Sequence, residues 1–482
     1  MAFIDANAVN VALPSMQREL QASASDLQWV IEGYSLFLSA LILIGGSLGD
    51  IFGRRLVFVI GIGLFAAASI VCAAAQTIGQ LEVARCVQGV GGALATPGSL
   101  ALISANFPTE ARGRAIGTWS GFAAMTAALG PVLGGWLAEY ASWRYVFLIN
   151  VPLAIFVVAG ALTRVPESRD DGAPRSVDAA GATLATVALG AITYGLIRLQ
   201  VRASDVSGIV TTVAGVVVLA LFVGWERRAR QPMIPPHVFA NRTFASANVY
   251  TFLLYAALGG SLYFVPFDLQ NVLGYSPTAA GASMLPFIAI MFAASRWSGG
   301  LVVRIGARVP LVAGAVLAGL GFATYAYAGG GGSYWTTFFP AAVILGCGGA
   351  LFVAPLTTTV MGALEPAHAG IASGINNAVS RVAGLLAIAA LGIVLAGVLY
   401  ARFDRDVAKL SLTGATRAIL ARDRDLVGTG KPLVYLPEPD RRPVNALLRD
   451  SYTLGFRWVM VAAALLSLAA AGVAAATPDA RR

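Results

Sequence analysis

Runs of about twenty apolar residues, broken by short polar turns, recur along almost the whole chain. They predict membrane-spanning helices near 29–49, 56–75, 81–104, 115–138, 143–163, 180–197, 207–225, 244–267, 278–295, 310–328, 336–360, 371–400 and 456–476. A shorter apolar stretch, 1–13, precedes them and stops at Pro14. It is too short to cross the roughly 30 Å hydrocarbon layer. No basic segment and cleavage site precede it, so it does not read as a signal peptide. The expectation is the second half of a first helix whose upstream half is missing, through a misplaced start, and fourteen helices in the intact protein.

Composition supports a polytopic membrane protein. Of 482 residues, 57% are hydrophobic and only 12% charged, about half the charged share of a soluble domain. The net charge of +9 does not point to nucleic acid, because the arginines sit in short turns between apolar runs. Arg54, Arg55, Arg112, Arg114, Arg164, Arg169, Arg227, Arg228, Arg242, Arg304 and Arg308 fall on one side, against Arg18, Arg144, Arg198 and Arg202 on the other. The basic side is therefore expected to be cytoplasmic, with both chain ends there. The Arg-rich segment 401–455 is expected to be a long external loop, near the length at which the charge rule lapses.

Metal, nucleotide and thiol chemistry find little support. Cys72, Cys86 and Cys347 lie within apolar runs without metal-ligand spacing, as small packing residues do. His237 and His368 fall in turns. Gly428-Thr429-Gly430-Lys431 is followed by Pro432 and lacks the upstream glycine of a phosphate-binding loop. The expectation is no enzyme, no metal and no cofactor.

One turn carries unusual chemistry. Gly46-Ser47-Leu48-Gly49-Asp50-Ile51-Phe52-Gly53-Arg54-Arg55 joins the first two long runs, and Gly299-Gly300-Leu301-Val302-Val303-Arg304-Ile305-Gly306-Ala307-Arg308 aligns with it. Gly306 falls on Gly53 and Arg308 on Arg55, whereas Val303 replaces Asp50. The copies lie eight spans apart, so two extra helices, 180–197 and 207–225, separate two six-helix halves. The expected division is 1–164, a linker pair in 165–242, and 243–482. Such half-repeats place a binding site at their interface.

The first turn closely resembles the signature loop of the major facilitator superfamily. Four further segments resemble its fourteen-helix drug:proton antiporter branch. These are Ile4-Asp5 with Val9-Asn10-Val11-Ala12-Leu13-Pro14; Arg85, Gln88, Gly89 and Gly92; Gly130-Pro131-Val132-Leu133-Gly134-Gly135; and Trp143 through Pro152. Ala372-Ser373-Gly374-Ile375-Asn376-Asn377 is similar to the entry of its thirteenth helix. Thr126 departs from the pattern, where the branch often has glycine. The resemblance implies an all-α major facilitator fold of two six-helix bundles plus two linker helices.

It also implies roles. Asp5 becomes the first candidate for proton coupling, since an intramembrane acid is expensive unless it faces a cavity or a partner. Arg85 joins it in proton transfer, and Glu32, near the external end of its span, is the next acid. The bland alternatives are Asp5 at a wet helix end and Arg85 satisfied by backbone carbonyls. Gly46, Asp50, Gly53, Arg54 and Arg55 form a conformational latch, with Asp50 facing the helix start near Ile371, where a helix N-terminus favours negative charge. Gly130, Pro131, Gly134 and Gly135 form a bend that seals against leak. Asn10, Gln88, Trp119, Phe122, Asn376 and Asn377 are cavity candidates, a mixed amide and aromatic wall suited to large apolar compounds. With Asp268 placed at an external end, neutral or monocationic substrates are favoured over dications.

The reading is a monomeric secondary transporter in a bacterial plasma membrane. It exports drugs or toxic small molecules in exchange for protons by alternating access, with the proton gradient as energy source. Its partners are hydrophobic small molecules, protons and the bilayer. A non-cycling sensor or assembly partner, and a proton-coupled nutrient symporter, are the alternatives.

Overall fold

The computed structural model describes residues 1–106, 126, 129–169, 178–202, 204–230, 232–234, 236–328, 333–364, 369–422, 424–428 and 430–477. Among them the chain is helical, with eleven helices long and apolar enough to cross a membrane. The first half comprises α1 (Ala2–Leu20), α2 (Ala24–Phe52), α3 (Arg54–Ala74), α4 (Ile78–Asn106), α5 (129–140) and α6 (Tyr145–Arg164, with a turn at Ile149). The linker pair is α7 (Ala179–Val201) and α8 (Val206–Glu226). The second half comprises α9 (Arg242–Phe267), α10 (Pro277–Ala282), α11 (Leu285–Ile305), α12 (Arg308–Ala328), α13 (Phe338–Gly362), α14 (Ala369–Val407) and, after two short helices, α17 (Glu438–Ala476). The short ones are α15 (Gly414–Arg422) and α16 (Arg424–Val427).

Local chemistry sets the helix ends. Ser23 and Asp26 form a reciprocal capping box at the start of α2, while Asp205, Asn241 and Ser276 cap α8, α9 and α10. Gly53 (φ 120°) reverses the chain between α2 and α3, and Gly306 (φ 79°) does the same between α11 and α12. That backbone region favours glycine, so the sequence repeat has a structural counterpart at the same aligned positions.

Three expectations change. The stretch 1–13 does not stop at Pro14, because α1 runs through it to Leu20. A helix packed among neighbours tolerates the one backbone donor that proline removes. The span at 278–295 is divided between α10 and α11. Segment 401–455 is mostly helical, because α14 continues to Val407 and α17 begins at Glu438. The hairpin between them is tied down by Asp440, which accepts from Thr413 N, Thr413 Oγ1 and Thr416 Oγ1.

The two halves are built alike, with α4 packed on α2 and α3 as α13 is on α11 and α12. Gly89, Gly91, Gly92, Ala93 and Leu94 of α4 recur as Gly346, Gly348, Gly349, Ala350 and Leu351 of α13. A Cβ on Gly91 would lie 2.6 Å from Phe65 N, and one on Gly348 would lie 2.7 Å from Ala318 N, so both stripes bring backbones together. Helix α7 lies at the seam, against both α2 and α14. There Gln28 and Gln200 exchange amide hydrogen bonds (2.8 and 2.9 Å), and Gln200 Nε2 also donates to Ala389 O.

Candidate functional site

The first-helix acid lies in a closed network. Asp5 and Arg85 are both fully buried, and Arg85 Nη1 donates to Asp5 Oδ2 at 2.6 Å. Gln88 Nε2 and Asn150 Nδ2 donate to Asp5 Oδ1 at 3.0 and 2.9 Å. Arg85 Nη1 reaches Gln88 Oε1 at 2.5 Å and Arg85 Nε reaches Val30 O at 2.9 Å. Ser69 Oγ accepts from Gln88 Nε2, and the Tyr34 ring lies 4.3 Å from the guanidinium carbon. Four helices of the first half, α1, α3, α4 and α6, thus supply polar side chains to one carboxylate and one guanidinium. Asp5 is not at a wet helix end. One Arg85 nitrogen, Nη2, has no hydrogen-bond partner.

The second half has no copy of this charge. In the aligned α13 stripe, Ala342 stands for Arg85 and Leu345 for Gln88.

Helix α1 also reaches across the seam. Asn10 Nδ2 donates to Leu262 O (3.4 Å), and Gln270 Nε2 donates to Val11 O (2.9 Å). The glycines of α5 seat it tightly. A Cβ on Gly134 would lie 2.5 Å from Ala8 O, and one on Gly130 would lie 2.8 Å from Asn7 Cβ. On the other face of α5, a Cβ on Gly135 would meet Pro277 O at 2.3 Å. One on Gly281 would meet Pro131 O at 2.1 Å. Glu139 Oε2 accepts from Thr278 N nearby. The halves are therefore in backbone contact at the end opposite the arginine-rich turns, where Pro131 and Gly135 are packing surfaces of the closure, while Gly130 and Gly134 seat α5 on α1.

The latch residues are paired within and beside their own turn. Asp50 Oδ1 accepts from Arg54 Nε at 2.8 Å, within its own turn, and the helix start expected to face it adjoins residues 365–368, which lie outside the described residues. Both groups lie four residues apart on adjoining helix ends, which makes the local pair the shortest available. The free α3 N-terminus is served by Glu167, whose carboxylate accepts from Arg55 N and Leu56 N at 2.9 and 3.0 Å. Gly53 leaves room for that carboxylate, since a Cβ there would lie 2.8 Å from Glu167 Cδ. Gly45, not Gly46, is the position of close approach, 2.1 Å from Ala93 O against 3.6 Å from Pro97 Cβ for Gly46.

The cavity candidates scatter. Gln88 belongs to the Asp5 network, not to an open wall, and Asn10 is committed to the seam. Asn376 Nδ2 donates to Thr251 Oγ1 (2.6 Å) and lies 3.3 Å from Asn248 Oδ1, and Asn377 is exposed. Trp119 and Phe122 lie outside the described residues. A small cleft sits instead at the far end of the seam, beside Gln28, Gln200, Tyr263, Tyr400 and Tyr452.

Two acids depart from their expected exposure. Glu32 and Asp268 are 0% and 1% exposed, and all four of their carboxylate oxygens lack a hydrogen-bond partner. Asp268 lies in a single π-helical turn (Asp268–Val272). Unpaired carboxylates at this depth are costly. Ser69, Asn150, Glu167 and Arg381 were not singled out from sequence. Asn150 and Arg381 carry the available signal, each being a strongly polar residue inside an apolar run.

Comparison with known proteins agrees with this architecture. The family model described as Major Facilitator Superfamily matches residues 1–388. The chain is 37% identical over 423 residues to "Multidrug resistance protein Stp" of Mycobacterium tuberculosis (strain CDC 1551 / Oshkosh), covering 87% of this chain and 78% of that protein. It is 32% identical to the "Tetracenomycin C resistance and export protein" of Streptomyces glaucescens, covering 100% and 90%. Among solved structures, a bacterial homologue of the human lysosomal transporter Spinster, in an inward-facing conformation, superposes with TM-score 0.65 at 17% identity, over 98% of this chain and 94% of that one.

Proposed function

Because the chain belongs to the major facilitator superfamily, we propose that it is a proton-driven exporter of drugs or toxic small molecules, working by alternating access in a bacterial plasma membrane. Similarity to proteins named for drug resistance and export supports the cargo class. In this reading the arginine-rich turns face the cytoplasm, so the backbone closure at α5 and α10 seals the external side.

The observation that carries proton coupling is the buried Asp5–Arg85 pair. As an anion, Asp5 holds Arg85, Gln88 and Asn150 around one point. A proton on its carboxyl removes the counter-charge from a buried guanidinium, and Arg85 must then find other acceptors. Helix α1 transmits the change, because Asn10 and Val11 bond to the second half about 7.5 Å along the helix from Asp5. Protonation thus loosens the external seal from within the first half. Glu32, without a donor in this conformation, is the second proton acceptor.

Drug-dependent proton movement in inverted membrane vesicles tests the proposal. Wild type should accumulate a transported drug when a proton gradient is imposed. Asp5→Asn should exchange drug for drug without accumulating it. Undiminished accumulation by Asp5→Asn would remove Asp5 from the mechanism.

A further inference from the structure

Arg381 is a charge that the proton chemistry leaves unused. It lies on α14 about 18 Å of helix from its start at Ala369, near the middle of the span. Its Nε is buried without a hydrogen-bond partner. Tyr255 of α9 packs against the cluster that Ala383 and Ala387 of α14 form with Ala256, α2, which carries Tyr34, also packs on α14, and among the described residues no carboxylate pairs with Arg381. Asp5 is engaged with Arg85, and neither carboxylate oxygen of Glu32 has a hydrogen-bond partner. A guanidinium stays charged at any physiological pH. The Asp5–Arg85 pair is self-neutralising, so it does not compensate Arg381, which is left without an ion-pair partner among the described residues.

An unpaired arginine at this depth is expensive to keep, and its surroundings suit a ligand. Tyr34 comes from the first half, Tyr255 and Arg381 from the second. Asn377, four residues before Arg381 and so on the same face of α14, is exposed towards the arginine-rich end. Arg381 itself is only half-buried. Two aromatic rings, an amide and a forked donor form a surface for a planar organic acid, whose carboxylate or phenolate would meet Arg381 while its rings lie against the tyrosines.

We propose that Arg381, with Tyr34, Tyr255 and Asn377, is the substrate anchor of this transporter and selects amphipathic aromatic anions. The inference rests on the export reading and narrows its substrate class, away from the neutral or monocationic compounds that the sequence favoured. It is also consistent with energetics. Exchange of an outgoing anion for an incoming proton moves two positive charges inward, and an inside-negative potential drives both. Exchange of a monocation for a proton gains nothing from that potential.

The test uses two dyes on one tricyclic scaffold, anionic fluorescein and cationic rhodamine 6G, titrated onto the purified full-length protein and read by fluorescence anisotropy. Wild type should bind fluorescein more tightly than rhodamine 6G. Arg381→Gln should weaken fluorescein by about tenfold or more, the loss expected of a charge-assisted contact, and leave rhodamine 6G unchanged or tighter. Arg381→Lys should restore part of the fluorescein affinity. Wild-type preference for rhodamine 6G, no fluorescein binding, or unchanged fluorescein affinity in Arg381→Gln would each overturn the proposal. The wild-type comparison needs no variant, so it stands even if Arg381→Gln fails to fold. Failure of the export reading looks different, as selective fluorescein binding without proton-driven movement of the dye in vesicles.

Discussion

The Asp5–Arg85 pair should behave as one unit, and a double-mutant cycle measures whether it does. Asp5→Asn leaves a fully buried guanidinium with Val30 O and Gln88 Oε1 as its remaining strong acceptors. Breaking a buried pair from one side costs about 3–5 kcal/mol. Arg85→Gln leaves the carboxylate with two neutral donors, Gln88 and Asn150, so its cost should fall at the low end, about 3 kcal/mol. The double variant Asp5→Asn with Arg85→Gln removes both charges and keeps amides that can bond to each other. It should lose only about 1–2 kcal/mol, since neutral replacements of buried pairs are often tolerated. The coupling should therefore exceed about 3 kcal/mol, at or above the upper end of ordinary contact pairs. Unfolding in mixed micelles titrated with dodecyl sulfate supplies the four stabilities, and counterflow in vesicles supplies function. The double variant should be folded and exchange substrate for substrate, yet fail to accumulate it. Stabilities additive to within about 0.5 kcal/mol would refute the reasoning.

Three further outcomes follow from the geometry. Gly135→Val or Gly281→Val should prevent closure at α5 and α10, because the added atoms meet backbone at 2.3 and 2.1 Å, and a cysteine at Ser276 should become more reactive from outside; unchanged reactivity would deny these glycines a part in the seal. Glu167→Gln should cost about 0.5–2 kcal/mol by weakening the α3 N-terminus, measured by the same unfolding titration, whereas no loss would make Glu167 a bystander. In a background lacking Cys72, Cys86 and Cys347, cysteines replacing Arg228 and Val434 should label from opposite faces with an impermeant thiol reagent, and labelling from one face would overturn the assigned sidedness.

Hydropathy located the spans because lipid demands apolar length, and Gly53 and Gly306 were legible as a repeat because a helix reversal needs their backbone freedom. Hydropathy misjudged α14 and α17, since an apolar run ends where lipid ends, whereas these helices continue beyond it on polar turns. The Asp5–Arg85 contact was implied by the motifs on α1 and α4. Ser69 and Asn150 were not, because their membership depends on how α3 and α6 rotate against α1. Asp50 has two possible partners, Arg54 beside it and a helix start in the other half. The choice between them belongs to the conformation rather than to the sequence. Arg381 stood in plain view in an apolar run, and its meaning needed Tyr34 from a helix nearly 350 residues away.

The unequal halves have a consequence for how such a carrier can diverge. The glycine stripe of α4 is repeated in α13, but Ala342 and Leu345 stand where Arg85 and Gln88 would be. In the exporter reading, fuel handling is thereby confined to one duplicate, and the other is released from it. Mutations around Arg381, Tyr255 and Asn377 can be sampled by a lineage to reach new cargo while the powered half stays untouched. In that reading, a duplication that began as symmetry becomes a division of labour between a copy that handles the proton and a twin that meets the cargo.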